Sequence, residues 1–264
     1  MPDLYAWATP AFMPGSPVDH TWVTSYDNQA QNLPNIQAVT AAHVDYWYCW
    51  GSFHAQGGVP GNATGSLGHQ SANLGVARCL VQPNADSGTV PAARGTIFVY
   101  GVDGVCHQLA NQVLFATGGT TAPLTVRGAR GYFASCFLYG TYGLQHTAWA
   151  HKIQNCHTQA PAAIGGLVRM AGLPDDFEDH ARNVLGDEDP ELLGRLLALK
   201  GEVHAFAAQT IPGSSPPSAA LLNMRNQHLL DQAANLLGAE RFKRVFGFAP
   251  GETINLVDPT QKNE

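Results

Sequence analysis

The sequence predicts an α+β protein in which strands and loops come first and helices follow. Aromatic and β-branched clusters, separated by Gly, Pro, Asn and Ser, fill about the first 155 residues, and such clusters are typical of strands. One stretch within them, at 103–119, has the apolar period of a helix. From about Leu173 onward the apolar spacing is helical. A run of strands followed by a run of helices is the α+β pattern.

Four segments of the N-terminal part carry the strand signal. They are HTWVTSY at 20–26, HVDYWYCW at 43–50, GTIFVYG at 95–101 and GYFASCFLYG at 131–140. Each is rich in aromatic and β-branched residues and lies between turn-forming residues. We therefore expect each of them to be a strand.

The predicted helix is DGVCHQLANQVLFATGG at 103–119. Its inward face has positions spaced by three and four residues. They are Cys106, Leu109, Ala110, Val113, Leu114 and Thr117. Asp103 is the predicted N-cap and Gly118-Gly119 the stop. Cys106 is therefore expected in the first turn, on the inward face.

Three further helices are predicted in the C-terminal region. They are LPDDFEDHARNVLG at 173–186, DPELLGRLLALKGEVHAFAAQ at 189–209 and PPSAALLNMRNQHLLDQAANLLG at 216–238. Each has a Pro near its start or acidic residues in its first turn, as helix N-termini prefer. We predict a first domain at 1–160 and a helical C-terminal region at 161–264.

Composition restricts the partners and the compartment. Only 13% of the 264 residues are charged, the formal net charge is -6, and no block of Lys or Arg suits a phosphate backbone, so nucleic acid is not predicted as a partner. No apolar run reaches the ~18 residues of a membrane span, and the N-terminus lacks signal-peptide features. The five cysteines are irregularly placed, which favours a reducing compartment. We predict a cytoplasmic protein with no membrane partner.

Cys106 is the candidate nucleophile because of its position. Unpaired N–H groups and the dipole at a helix N-terminus favour a thiolate over a thiol. The same N–H groups can stabilise the oxyanion of a tetrahedral intermediate. A small thiol on the inward face of a helix is, however, also an ordinary core residue. Position alone leaves both interpretations open.

The sequence around Cys106 resembles that of a known protein family. The segment GVCHQLA at 104–110 resembles the Gly-x-Cys-x-x-x-Ala signature of the nucleophile helix in bacterial transglutaminase-like proteins. After it come Gly118-Gly119, Arg127 or Arg130, the segment at 131–140 and LQHTAWAHKI at 144–153, in the family's order. The resemblance implies a papain-like/transglutaminase-like core, in which the nucleophile helix packs on an antiparallel sheet.

The family order implies His146 as the base, forty positions after Cys106. A neutral imidazole takes the thiol proton and later returns it to the leaving group. The chain departs from the family's His-x-Trp, since Trp149 follows His146 by three positions and shares a strand face with His151 instead. The family's Asp after the base is also missing. Asn155 or Gln154 is then the candidate to orient the ring of the base in its place.

His20 is the rival base. The segment Asp19–Thr24 is a true His-x-Trp strand, with His20, Trp22 and Thr24 on one face. A histidine on an early strand followed by a cysteine on a later helix resembles the circularly permuted papain-like proteins. The third polar group is then to be found among Asp27, His43, Asp45 and His54. The spacing does not choose between His20 and His146.

Metal and cofactor sites are not predicted. The one histidine and cysteine cluster, His146, His151, Cys156 and His157, lacks the paired spacing of zinc ligands. No nucleophile elbow, Walker loop or dinucleotide fingerprint occurs. The aromatic cluster at 46–53 is typical of a core.

The predicted function is that of a cysteine-nucleophile hydrolase or acyltransferase. Its substrate is an amide in a protein, a peptide or a small molecule, and it reacts through a thioester on Cys106. The acceptor that reaches the thioester decides between hydrolysis, deamidation and transamidation, and the sequence leaves these open. The alternative is a non-catalytic binding or structural protein on the same fold.

Overall fold

The computed structural model of the chain describes it in several stretches. These are 3–10, 16–24, 47–49, 72–78, 101–118, 124–144, 174–186, 188–207 and 217–257. The strands are β1 (Asp3–Pro10), β2 (Asp19–Thr24), β3 (Trp47–Cys49) and β4 (Ala72–Arg78). The helices are α1 (Cys106–Gly118), α2 (Tyr132–Tyr139), α3 (Asp176–Leu185), α4 (Pro190–Ala207), α5 (Ala219–Leu237) and α6 (Ala239–Phe246). Strands followed by helices agree with the predicted α+β class.

The four strands form one antiparallel sheet in the order β3-β2-β1-β4. β1 and β2 pair with Tyr5 opposite Thr24 and Thr9 opposite His20. β2 confirms the strand predicted at 20–26, and β3 lies inside the one predicted at 43–50. Since β2 lies between β1 and β3, it is an inner strand, and His20 stands near its start.

Both faces of the sheet are covered at the start of β2. His20 and Thr21 are neighbours, so their side chains point to opposite faces, yet both are buried. Thr21 pairs with Ala8 and therefore shares a face with Ala6 and Ala8, which are also buried. The imidazole of His20 consequently lies away from solvent on the other face.

The strand predicted at 131–140 is wrong, because residues Tyr132–Tyr139 form the helix α2. Every residue of α2 except Phe133 is buried. A helix that is buried all round has no polar face, so its sequence lacks the helical apolar period and resembles a buried strand. Of the segment predicted at 95–101, only Gly101 lies inside the described residues, and it belongs to a turn.

α2 lies at the centre of the core. The ring centroid of Phe137 is 5.3 Å from that of Phe177 on α3 and 5.5 Å from that of Phe246 on α6. All three rings are buried. The same apolar cluster includes Ala6 of β1 and Leu230 of α5, so the sheet and the C-terminal helices share one core. The boundary predicted near residue 160 lies outside the described residues and stays a prediction.

The three predicted C-terminal helices are confirmed as α3, α4 and α5. Asp175 caps α3 by accepting hydrogen bonds from the N–H groups of Phe177 and Glu178, and Ser218 caps α5. Pro190 is the first residue of α4, a position that needs no N–H donor. Among the described residues, we find no helix that combines the length and the apolar character of a membrane span.

A turn at 101–104 leads into α1 and is held by the C-terminal region. The Gly101 N–H donates to the Gly104 carbonyl over 2.7 Å. The Gly101 carbonyl accepts from the Tyr139 hydroxyl at 2.8 Å and from Arg225 Nη2 at 3.0 Å. Helix α5 thus contacts the backbone five residues before Cys106.

Replacing Gly101 with alanine is expected to destabilise the fold. Gly101 has φ +80, and an added Cβ would lie 2.5 Å from Cγ2 of Val257. The strained backbone and the overlap together should lower the free energy of unfolding by about 1–3 kcal/mol. Urea unfolding followed by circular dichroism measures this. The matched control is Gly201→Ala, at an exposed site in α4 with nothing within 4 Å, where alanine should be neutral or stabilising. Equal effects at the two sites would contradict the expectation.

Candidate active site

Cys106 lies in the first turn of α1, as predicted; it is the first residue of the helix and is 6% exposed. The helix begins after Val105, whose N–H donates to Oε1 of Gln108 over 3.1 Å. A glutamine three residues into a helix that reaches back in this way is half of a capping box. The prediction of Asp103 as the N-cap is therefore wrong, because Asp103 lies in the preceding turn, where its carbonyl accepts from the Leu144 N–H at 2.8 Å.

The predicted inward face of α1 is confirmed at Ala110 and Leu114, which are buried beside Cys106. The predicted stop is confirmed too, since α1 ends at Gly118. The opposite side of the helix is also buried. It carries His107, Gln108, Asn111 and Gln112, each at most 1% exposed. Buried polar groups need hydrogen-bond partners, so these side chains identify what surrounds the start of α1.

Three amides of α1 bind three consecutive carbonyls. Nε2 of Gln108 donates to the Gly140 carbonyl over 3.0 Å. Nδ2 of Asn111 donates to the Thr141 carbonyl over 2.8 Å, and Nε2 of Gln112 donates to the carbonyl of residue 142 over 2.7 Å. These bonds fix the chain at 140–142 along the first two turns of α1.

His107 joins α1 to two other elements. Its Nδ1 lies 2.8 Å from Oγ of Ser135 on α2, and its Nε2 lies 2.9 Å from the carbonyl oxygen of Asp19 on β2. His107 directly follows Cys106, and Asp19 directly precedes His20. The bond between His107 and Asp19 therefore connects the neighbours of the candidate nucleophile and of a candidate base. α1 also packs on β2 more extensively than on any other described strand.

His20 and His107 are both neutral at pH 7. Burial lowers the pKa of His20 from 6.5 to about 3, and the charge that His107 would carry when protonated acts in the same direction. Burial also lowers the pKa of His107 to about 4, although its bond to the Asp19 carbonyl acts in the opposite direction. A neutral imidazole is the form that accepts a proton.

A buried carboxylate, that of Asp176, supports α1 through Tyr132 and Asn111. Asp176 accepts from Thr125 Oγ1 at 2.5 Å, from Tyr132 Oη at 2.8 Å and from Arg127 Nη2 at 2.7 Å. Tyr132 Oη in turn accepts from Asn111 Nδ2 at 2.8 Å. The sequence signal for this residue is the pair Asp175-Asp176 at a helix start, of which the first caps the helix and the second turns inward.

His146 lies outside the described residues, together with His151, Gln154, Asn155, Cys156 and His157. The same holds for Asp27, His43, Asp45 and His54. The last described residue before His146 is Leu144, whose N–H is bonded to Asp103. No group of three or more potential metal ligands occurs among the residues that the structure describes.

Comparisons with known proteins identified no relative of this chain. No protein-family model matches the chain, and neither a curated protein nor a solved structure matches it.

Proposed function

We propose that the protein is a cysteine-nucleophile enzyme with a papain-like/transglutaminase-like core, acting on an amide or ester carbonyl through a thioester. The observation that carries the proposal is the packing of α1, which begins at Cys106, on the strand that holds the buried, neutral His20. A thiol at a helix start and an imidazole on the adjoining strand are the two groups that such chemistry needs.

The first half of the reaction forms the thioester. The histidine takes the proton of the Cys106 thiol, and the thiolate attacks the carbonyl carbon to form a C–S bond. Backbone N–H groups of the helix start stabilise the resulting oxyanion. When the tetrahedral intermediate collapses, the C–N or C–O bond breaks and the imidazolium gives its proton to the leaving group.

The second half releases the acyl group. Water or an amine attacks the thioester carbonyl, the histidine takes a proton from it, and the C–S bond breaks to return the thiol. Water gives hydrolysis or deamidation, whereas an amine gives transamidation. The 6% exposure of Cys106 favours small or extended substrates, because a bulky folded protein can reach little of the surface of this residue.

His20 is the proposed base, and His146 is the alternative. Burial disfavours a protonated His20, but a thiolate formed beside the ring stabilises the imidazolium, since opposite charges in a site of low dielectric attract strongly. The ion pair therefore compensates in part for the desolvation that lowers the pKa of the isolated ring.

The burial of Cys106 also favours a second candidate function, a non-catalytic binding or structural protein. A thiol that is 6% exposed on the inward face of a helix is a normal core residue. Such a thiol reacts slowly, and only when the protein opens.

The rate of iodoacetamide alkylation at Cys106 separates these two functions. We expect fast labelling below pH 7 in the native protein, read by mass spectrometry, and its loss in His20→Ala. If His146→Ala abolishes it instead, the base is His146. Cys136 is the internal control, because it is completely buried and burial raises the pKa of its thiol. Labelling of Cys106 as slow as that of Cys136 would refute the enzyme proposal.

A further inference from the structure

His107 has a bonding pattern that the thioester mechanism does not use. Its ring is 1% exposed and spans from α1 to both α2 and β2. An unpaired buried imidazole would be costly, but a leucine of similar size would fill the space without needing partners. Packing alone therefore does not explain why a histidine with two hydrogen bonds occupies this buried position.

The partners of the ring fix its tautomer. The Asp19 carbonyl can only accept, so Nε2 of His107 must carry the proton. Nδ1 lies 2.8 Å from the Ser135 hydroxyl oxygen, whose one proton it shares as a possible acceptor with the Tyr132 carbonyl, also at 2.8 Å. Gln108 Nε2 lies 3.3 Å from the same Ser135 oxygen and donates to it. The Nε2–H form of His107 therefore follows from the Asp19 carbonyl, which has no proton to donate.

Asp19 is held from its other side as well. Its carboxylate accepts from the backbone N–H of Arg130 at 2.8 Å and from Nε of Arg130 at 2.9 Å. Its own N–H donates to the Arg130 carbonyl at 3.0 Å. With the loop at 124–131 fixing one side of Asp19, the bond from His107 sets the distance between this point of β2 and the start of α1.

We propose that His107 is the positioning residue of the active site, which fixes the start of the Cys106 helix against the start of the His20 strand through its Nε2–H bond to Asp19. The inference depends on the proposed function, since it assigns His107 a role toward Cys106 and His20. Reaction geometry is sensitive at this scale, because a displacement of about 1 Å between reacting groups can cost about a hundredfold in rate.

The test uses the full-length protein with three substitutions. His107→Gln retains an N–H donor near the position of Nε2, His107→Leu retains only the volume, and Ser135→Ala removes the hydroxyl that contacts Nδ1. Cys106 alkylation is measured between pH 5 and 8 for each variant that melts cooperatively. Nitrogen-15 spectra of the wild-type histidines report the tautomer of His107 independently of any activity.

We expect the Nε2–H tautomer, alkylation within about threefold of the wild type for His107→Gln, and a loss of about tenfold to a hundredfold below pH 7 for His107→Leu. Ser135→Ala should fall between them and replaces His107→Leu if that variant does not fold. Rescue by glutamine distinguishes positioning from packing. An Nδ1–H tautomer, or wild-type alkylation in both His107→Leu and Ser135→Ala, would overturn the inference. Slow alkylation of the wild type itself would instead overturn the proposed function and, with it, this role.

Discussion

Incubation with p-nitrophenyl acetate is expected to place one acetyl group on Cys106. The small activated ester suits a sulfur that is largely buried, and the nitrophenolate leaves without needing a proton, so the experiment isolates thioester formation. Mass spectrometry of the intact protein should show one added acetyl group, which neutral hydroxylamine removes because it cleaves thioesters. Cys106→Ala should show none.

Histidine variants in the same acetylation experiment identify the base. Loss of the base should slow acetylation by about 10²–10⁴-fold, and we expect this for His20→Ala. His204→Ala is the matched control. His204 is another histidine whose pKa burial lowers, to about 4, but its Nε2 bonds to the Phe137 carbonyl in the helical region. Equal rates in the His20 and His204 variants would refute His20 as the base, and acetylation of Cys106→Ala to the same extent would refute the nucleophile.

Acidification is expected to destabilise the fold well above the range where carboxylates titrate. The folded-state pKa values of His20 and His107, about 3 and about 4, lie below their ordinary value of 6.5. Between these limits the unfolded chain binds more protons than the folded one, so the stability present above pH 6.5 is lost as the pH falls. Each histidine lowers the free energy of unfolding by up to about 1.4 kcal/mol per pH unit in that window.

Guanidinium unfolding at pH 7, 6 and 5 measures this slope. His107→Gln should reduce the slope by up to about 1.4 kcal/mol per pH unit, because one titrating ring is gone. The contribution of His204, whose folded pKa burial also lowers, is common to both proteins and cancels in the comparison. An unchanged slope would show that His107 does not remain neutral in the folded protein.

Three of the helices that the sequence predicts correctly have one solvent-exposed face. α3, α4 and α5 show helical periodicity because solvent requires polar residues on one side. α2 lacks such a side, since every one of its residues except Phe133 is buried, and its composition cannot distinguish it from a buried strand. What determines its conformation is tertiary packing, such as the rings around Phe137, which no local pattern contains.

The positions of the candidate residues Cys106 and His20 could be predicted from the sequence, but the residues that surround Cys106 could not. A cysteine after a Gly-rich turn and before a helical apolar period is visible in the sequence, and so is the His-x-Trp strand. His107, Asn111 and Gln112 are polar and stand opposite the apolar face of α1, so the pattern predicts a solvated side. They are buried instead, because backbone carbonyls at 141–142 and at Asp19 replace water as their partners.

The contact between Arg225 and the Gly101 carbonyl has a consequence for the nascent chain. The two residues are 124 positions apart, so synthesis passes the Cys106 segment long before α5 leaves the ribosome. Until then the turn before Cys106 lacks one of its hydrogen-bond partners, and Tyr139 lacks the amide of Asn226 that lies 2.8 Å from its hydroxyl. The turn that precedes α1 is thus completed only late in translation, when α5 becomes available to bond the Gly101 carbonyl.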